Sequence, residues 1–222
     1  MATETSLDTR QQVVDLARDF AQEHIAPFAA EWDRTREFPR DVVKKMGELG
    51  FFGMLLPEEY DGLGLDTMTY LMAMEEIAAA DGACSTIVSV HNSLACLPIL
   101  KFGTPEQKQR WLRPLATGEL LGAFCLTEPD AGSDASAIKT AATRRGNRFV
   151  LNGTKQFITS GQSADLAIVF AVTDPGAGKK GLSAFIVPTD TPGYAVAAIE
   201  RTMGQRGSDH CQIVLEDCEV LP

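Results

Sequence analysis

Apolar residues in the first half of the chain recur at helical steps. Val13, Leu16, Ala17, Phe20, Ile25, Phe28 and Trp32 are spaced largely by three, four and five, which lines them along one face of a long amphipathic helix. A second helix is predicted from about Pro39, with Val42, Val43, Met46 and Leu49 inward and Gly50 as its stop. After a loop holding Pro57, Gly62 and Gly64, Asp66 is placed to cap a helix bearing Leu71, Met72, Glu75 and Ile77, which Asp81-Gly82 ends. Residues 85–102 are the most apolar stretch. His91, Asn92, Ser93, Pro98 and Lys101 interrupt it before the ~18 consecutive apolar residues of a membrane span accumulate, so it reads as a buried helix. Thr104-Pro105-Glu106-Gln107 then combines an N-cap threonine, a proline at the first helical position and a glutamine able to close a capping box.

From Leu120 the signal changes to short β-rich runs over residues 122–127, 148–151, 154–159, 166–173, 183–188, 194–199 and 210–215. Arg145-Gly146-Asn147 and Asn152-Gly153 read as hairpin turns, and residues 174–181 as a longer, mobile-looking loop. The division is therefore a helical domain over 1–120 and a β-domain, barrel-like or sandwich-like, over 121–222. Helices that precede strands instead of alternating with them argue against a doubly wound parallel sheet.

The 222 residues are 45% apolar and carry thirty acidic against twenty basic side chains, a formal charge of −10. That excess repels nucleic-acid phosphates and anionic membranes. The opening residues show neither an apolar run nor arginine-rich character, so a cytoplasmic location is expected, with no membrane insertion. Five cysteines form no CxxC pair, and only His210 sits next to one, Cys211, so neither a metal site nor a disulfide framework is expected. Cys125 reads as a buried thiol, not a nucleophile.

Two segments carry candidate chemistry. In Phe124-Cys125-Leu126-Thr127-Glu128-Pro129-Asp130-Ala131-Gly132-Ser133-Asp134, a strand runs into a turn with two hydroxyls, a glycine and a proline. Gly132 permits close approach of the main chain to a pyrophosphate, and Ser133 adds a neutral donor. Taken alone, the segment serves better as an ordinary solvated turn. In Asn152-Gly153-Thr154-Lys155-Gln156-Phe157-Ile158-Thr159-Ser160-Gly161, strand alternation sets Phe157 and Thr159 on one face. An aromatic face beside a hydroxyl suits a flavin ring, and Phe157 would serve equally as core. Gly62-Leu63-Gly64 follows no strand and lacks a third glycine, so a Rossmann site is unsupported.

Together these segments resemble the acyl-CoA dehydrogenases, and the likeness runs along the whole chain. It includes Pro57-Glu58-Glu59-Tyr60-Asp61-Gly62-Leu63-Gly64, Glu75-Glu76-Ile77-Ala78, Lys101-Phe102-Gly103-Thr104-Pro105-Glu106-Gln107-Lys108 and Met203-Gly204-Gln205-Arg206-Gly207-Ser208. Ser89-Val90-His91-Asn92-Ser93-Leu94, and Phe157 where many members have Trp, are most similar to the short-chain, butyryl branch. The resemblance implies FAD as cofactor, an acyl-CoA substrate, a trans-2-enoyl-CoA product, and electron-transferring flavoprotein as partner to a tetrameric or dimeric full-length enzyme. It places Phe124, Leu126 and Thr127 at the flavin ring, Gly132 and Ser133 at the pyrophosphate, and Phe157, Ile158 and Thr159 along the isoalloxazine, with Ser133 also touching CoA. The family's catalytic glutamate lies in a C-terminal helical domain, expected beyond residue 222. No catalytic residue is assigned here, and Glu75, Glu76 and Glu128 are not expected to replace it. His210 departs from the Thr common in that strand. A non-catalytic binding or assembly module and an acyl-CoA oxidase are the competing readings.

Overall fold

The structure, a computed structural model, describes residues 5–221. Residues 1–4, part of the stretch weighed above for targeting character, and Pro222 lie outside the described residues. The chain forms two compact units, one all-helical and one built on a curled sheet.

The helical unit takes in the chain up to Leu121 together with Thr202–Ser208. Helix α1 (Leu7–Phe20) starts at Ser6, whose hydroxyl accepts the Thr9 amide, and passes through a widened π turn (Ala21–Ile25) into α2 (Ala26–Thr35). The widened turn immediately precedes Pro27, which has no N–H to donate and crowds the preceding turn. The predicted long helix is present, but its face is not the predicted one. Val14, Ala17, Phe20, Ala21 and Ile25 are buried, whereas Leu16 and Phe28 are exposed. The inward stripe is centred about one residue later than the line through Val13 and Leu16. The extra residue of the π turn then rotates α2, so that Phe28 stacks on Trp32 instead of entering the core.

Helix α3 (Arg40–Glu48) buries Val42, Val43 and Met46, ends at Gly50 with φ +82°, and leaves the expected core residue Leu49 exposed. Helix α4 (Thr67–Ala80) is capped as predicted: the Asp66 carboxylate accepts the Thr69 amide at 2.7 Å. It buries Ile77 but exposes Leu71. Asp81 ends α4 and caps α5 (Gly82–Val90), accepting the Cys84 amide at 2.8 Å. A second π turn (His91–Cys96) leads into α6 (Leu97–Phe102). The continuous helix Gly82–Phe102 is long and apolar enough to cross a membrane, yet it is half-buried inside the unit and carries two buried polar side chains. Asn92 Nδ2 donates to the Phe51 carbonyl at 2.8 Å, and His91 lies 3.0 Å from the Leu115 carbonyl with its ring on Phe52. Helix α7 (Pro105–Ala116) has the predicted capping box between Thr104 and Gln107. The late segment Thr202–Ser208, counted with the β-domain in the sequence reading, groups with these helices. The Arg206 amide donates to Asp33 at 3.0 Å and the Thr86 hydroxyl to Gln205 at 2.9 Å.

The second unit holds seven strands: β1 (Gly122–Cys125), β2 (Ala141–Arg145), β3 (Arg148–Thr159), β4 (Leu166–Val172), β5 (Leu182–Pro188), β6 (Tyr194–Ile199) and β7 (His210–Val220). They form one sheet ordered β1-β4-β2-β3-β7-β6, with β5 on the other edge of β4. Parallel β1 runs beside Leu166–Val169, and β2 meets β4 further along at Val172, so β4 carries neighbours on both sides as the sheet curls. The other pairings are antiparallel. Cys125, Leu151, Ile158, Val169, Val187, Cys211, Ile213 and Leu215 fill the buried side.

Three readings of this half need correction. Asn152-Gly153 is no hairpin turn. It lies inside the twelve-residue β3, at a register shift against β7. The glycine is there for space, since a Cβ on it would approach Thr140 Oγ1 to 2.4 Å. Strand β2, absent from the predicted runs, is mostly exposed and polar, and it joins β3 through the correctly placed turn at Gly146, with φ +65°. The expected loose loop after Thr173 is a closed turn. The Thr173 and Asp174 amides both donate to the Gly181 carbonyl.

Candidate functional site

Strand β1 delivers the first candidate segment to the bulge in β3. Ala123 and Cys125 point into the core, leaving Phe124 half-buried, edge-on to Phe170 at 5.2 Å, and Leu126 partly exposed. Just past β1, the Gln156 amide donates to the Thr127 carbonyl at 2.8 Å. This contact joins Leu126-Thr127 to the residues leading into Phe157.

The following turn is closed on itself. The backbones of Glu128 and Ala131 exchange hydrogen bonds of 2.9 and 3.1 Å, and the Glu128 carboxylate accepts the amides of Lys139 (2.6 Å) and Thr140 (2.9 Å). Between these anchors Gly132 and Ser133 are exposed, and a Cβ built on Gly132 would meet nothing within 4 Å. The backbone there is open to approach from outside. The Asp134 carboxylate accepts the Ser136 amide at 3.1 Å, which shapes the descent of the loop.

Lys155 lies fully buried under this turn, its Nζ 2.8 Å from Glu128 Oε1 and 3.1 Å from the Leu126 carbonyl. Burial pushes the Glu128 carboxyl up, but the Lys155 ammonium and the amides outweigh it and hold the group below its ordinary range. Burial draws the Lys155 ammonium down against the pull of Glu128. Neither residue figured in the sequence reading as a structural partner of the other. The available signal was a lysine in an apolar strand, with an acidic residue in the preceding turn to neutralise it.

Lys155 and Gln156 are both buried, so strand alternation is suspended at the register shift before Ile158. Phe157 absorbs the irregularity at φ +59°, a conformation that is an outlier for a bulky side chain, and the residue is 64% exposed. Phe157 is therefore not core. Ile158 turns inward and is buried, leaving only its backbone for a ligand, and Thr159 is half-buried opposite His210. The Gln156 side chain is gripped from two sides, donating to Glu200 and accepting from Gln212 at 2.8 Å. His210 Nδ1 lies 3.2 Å from the Asp209 carbonyl, whose oxygen also receives the Ser160 amide.

The remaining chemistry is quiet. All five cysteines are free and buried, and burial pushes Cys125 up to about 12. Among the described residues no cluster of His, Cys, Asp and Glu is arranged to hold a metal.

Residues 8–119 match the family model for the acyl-CoA dehydrogenase N-terminal domain, and residues 123–218 match that for the middle domain. The chain belongs to the acyl-CoA dehydrogenase family. The human mitochondrial short-chain specific acyl-CoA dehydrogenase is 46% identical over 213 residues, 96% of this chain and 52% of that protein. A chain from a structure of the electron transferring flavoprotein of Acidaminococcus fermentans superposes with TM-score 0.95 at 44% identity, covering all of this chain and 58% of that one. The Bacillus anthracis acyl-CoA dehydrogenase complexed with FAD gives TM-score 0.90 at 36% identity, covering all of this chain and 38% of that one. The chain spans about half the length of the curated relatives it matches.

Two features fit an FAD. Gly132-Ser133 leaves unobstructed backbone and a hydroxyl for a pyrophosphate, and Phe157 holds a large apolar ring outward from a backbone at positive φ.

Proposed function

We propose that this chain forms the helical and flavin-holding parts of an enzyme that oxidises a short- or branched-chain acyl-CoA to the trans-2-enoyl-CoA. The observation that carries the reading is the 2.8 Å bond from the Gln156 amide to the Thr127 carbonyl, which joins an open anion-binding turn to a bulge presenting Phe157. Residues 124, 126 and 127 would border the ring, Gly132 and Ser133 the pyrophosphate, and Phe157 with the Ile158 backbone the isoalloxazine face. Thr159 would donate its hydroxyl near the reducible edge, and Ser133 would also meet the CoA portion. When bound, FAD supplies the two-electron acceptor for the hydride leaving the substrate β-carbon.

The α-proton needs a separate base, and two glutamates already engaged in this chain, Glu128 and Glu76, do not suit that role. Glu128 is spent on Lys155 and two amides, and Glu76 accepts Arg18 at 2.7 Å. The base is proposed to come from sequence outside these 222 residues, in an oligomeric full-length enzyme that passes electrons to an electron-transferring flavoprotein. The likeness to a short-chain specific enzyme supports the substrate class, and the likeness to a chain from an electron transferring flavoprotein structure supports the electron acceptor.

The test is an FAD titration of the chain, together with anaerobic addition of butyryl-CoA to the full-length protein. The reading expects flavin binding by the first and bleaching of the flavin band in the second. Peroxide release during turnover would assign an oxidase instead, and flavin retention without bleaching would leave a binding module. No flavin binding by either protein would remove the reading altogether.

A further inference from the structure

The Glu128–Lys155 pair joins three stretches of backbone, two of which also meet here through the Gln156 amide bond to the Thr127 carbonyl. Side-chain exposure is 0% for Lys155 and 6% for Glu128. Lys155 rises from β3 one residue before Gln156 and two before Phe157, and it holds the Leu126 carbonyl at the end of β1 as well as the carboxylate. The carboxylate in turn holds the Lys139 and Thr140 amides, where the chain leaves the turn and approaches β2. Both ends of the loop bearing Gly132 and Ser133 are thus referred to a single ammonium group beside the Phe157 bulge.

Such a pair is an expensive way to gain stability. Removing two charges from water costs about as much as their attraction returns, and an apolar pair of similar volume often does as well or better. What an apolar pair lacks is direction. Each of these hydrogen bonds fixes an orientation as well as a distance, and the whole set is mutually satisfied within a low-dielectric interior.

We propose that Glu128 and Lys155 are positioning residues for the flavin: their ion pair sets the spacing between the Thr127–Ser133 turn and the Phe157 bulge, so that pyrophosphate and ring are gripped in register. The proposal rests on the flavin reading above. Neither side chain touches the cofactor, and each acts through the backbone it holds.

The test compares the 222-residue chain with E128Q/K155M, a neutral pair of similar volume, and with L151A, a core truncation in the same strand. FAD affinity is measured by fluorescence titration, bound-flavin geometry by visible circular dichroism at saturating FAD, and stability by thermal unfolding of the FAD-free chains. The expected result is FAD affinity weakened at least about tenfold in E128Q/K155M with altered visible dichroism, while L151A, though less stable, keeps the wild-type dichroism once saturated. Unchanged affinity and dichroism in a folded E128Q/K155M would overturn the proposal and leave the flavin reading standing. Equal weakening and equal dichroism in both variants would overturn it too, as a purely structural effect. If E128Q/K155M does not fold, E128Q alone decides by the same two readouts. A wild-type chain that binds no FAD would fail the flavin reading itself and this proposal with it.

Discussion

Gly153 and Thr140 pack so closely that a methyl group on the glycine would lie 2.4 Å from the threonine Oγ1 and 2.7 Å from its Cα. Thr140 has little freedom to withdraw, because its amide is held by the Glu128 carboxylate at 2.9 Å. Gly153→Ala is therefore expected to destabilise the chain by roughly 1–3 kcal/mol, the usual cost of overpacking. Urea unfolding measures it, and a loss below about 0.5 kcal/mol would mean that the two strands part more easily than the geometry implies.

His91 makes stability depend on pH. Burial lowers its pKa to about 4, with the Leu115 carbonyl opposing the shift. Between an unfolded value near 6.5 and about 4, the unfolded chain takes up a proton that the folded chain refuses. This contribution is complete above pH ~6.5 and is lost as pH falls toward 4, by roughly 3 kcal/mol in all. His91→Gln should flatten that slope. Denaturant curves at pH 7 and 4.5 for both proteins check it, and identical slopes would sink the prediction.

Thr104 and Gln107 bind each other's amides, at 3.2 and 2.9 Å. Thr104→Ala is expected to cost about 1 kcal/mol and Gln107→Ala less. Because the two bonds form one box, the double variant should lose less than the sum. Strict additivity in thermal melts would show that the two bonds act independently.

The five cysteines should be silent in the native chain. Burial pushes Cys125 and Cys211 up to about 12 and Cys218 up to about 11, so scarcely any thiolate exists at pH 8. A thiol-reactive chromophore is expected to read essentially none before denaturation and all five after it. Prompt native labelling of Cys125 would restore its candidacy as a reactive group.

Much of the helical unit was legible because its punctuation is local. Asp66, Asp81 and Thr104 each bind an amide within three residues, so the cap is written beside the helix it starts. The misassigned Phe28 depended on a π turn, which changes phase without changing composition, and Leu16 on a buried stripe that runs through Val14, Ala17 and Phe20. In the sheet, β2 escaped notice because most of its residues face water and carry no apolar alternation. Asn152-Gly153 misled because glycine serves close approach as well as turning. The candidate site was legible as motif positions. Its bulge at Phe157 and its buried pair were not, since the first depends on register with β7 and the second on residues 27 positions apart.

The segment Thr202–Ser208 sets a timetable. Arg206 reaches Asp33 across 173 residues of sequence, so the helical unit lacks this piece when its last helix emerges from the ribosome. At about 5–20 residues per second, the roughly 80 residues in between take on the order of 4–16 s to synthesise. For those seconds Asp33 and Thr86 await partners that do not yet exist. A gene cut after Leu121 would make that interval permanent.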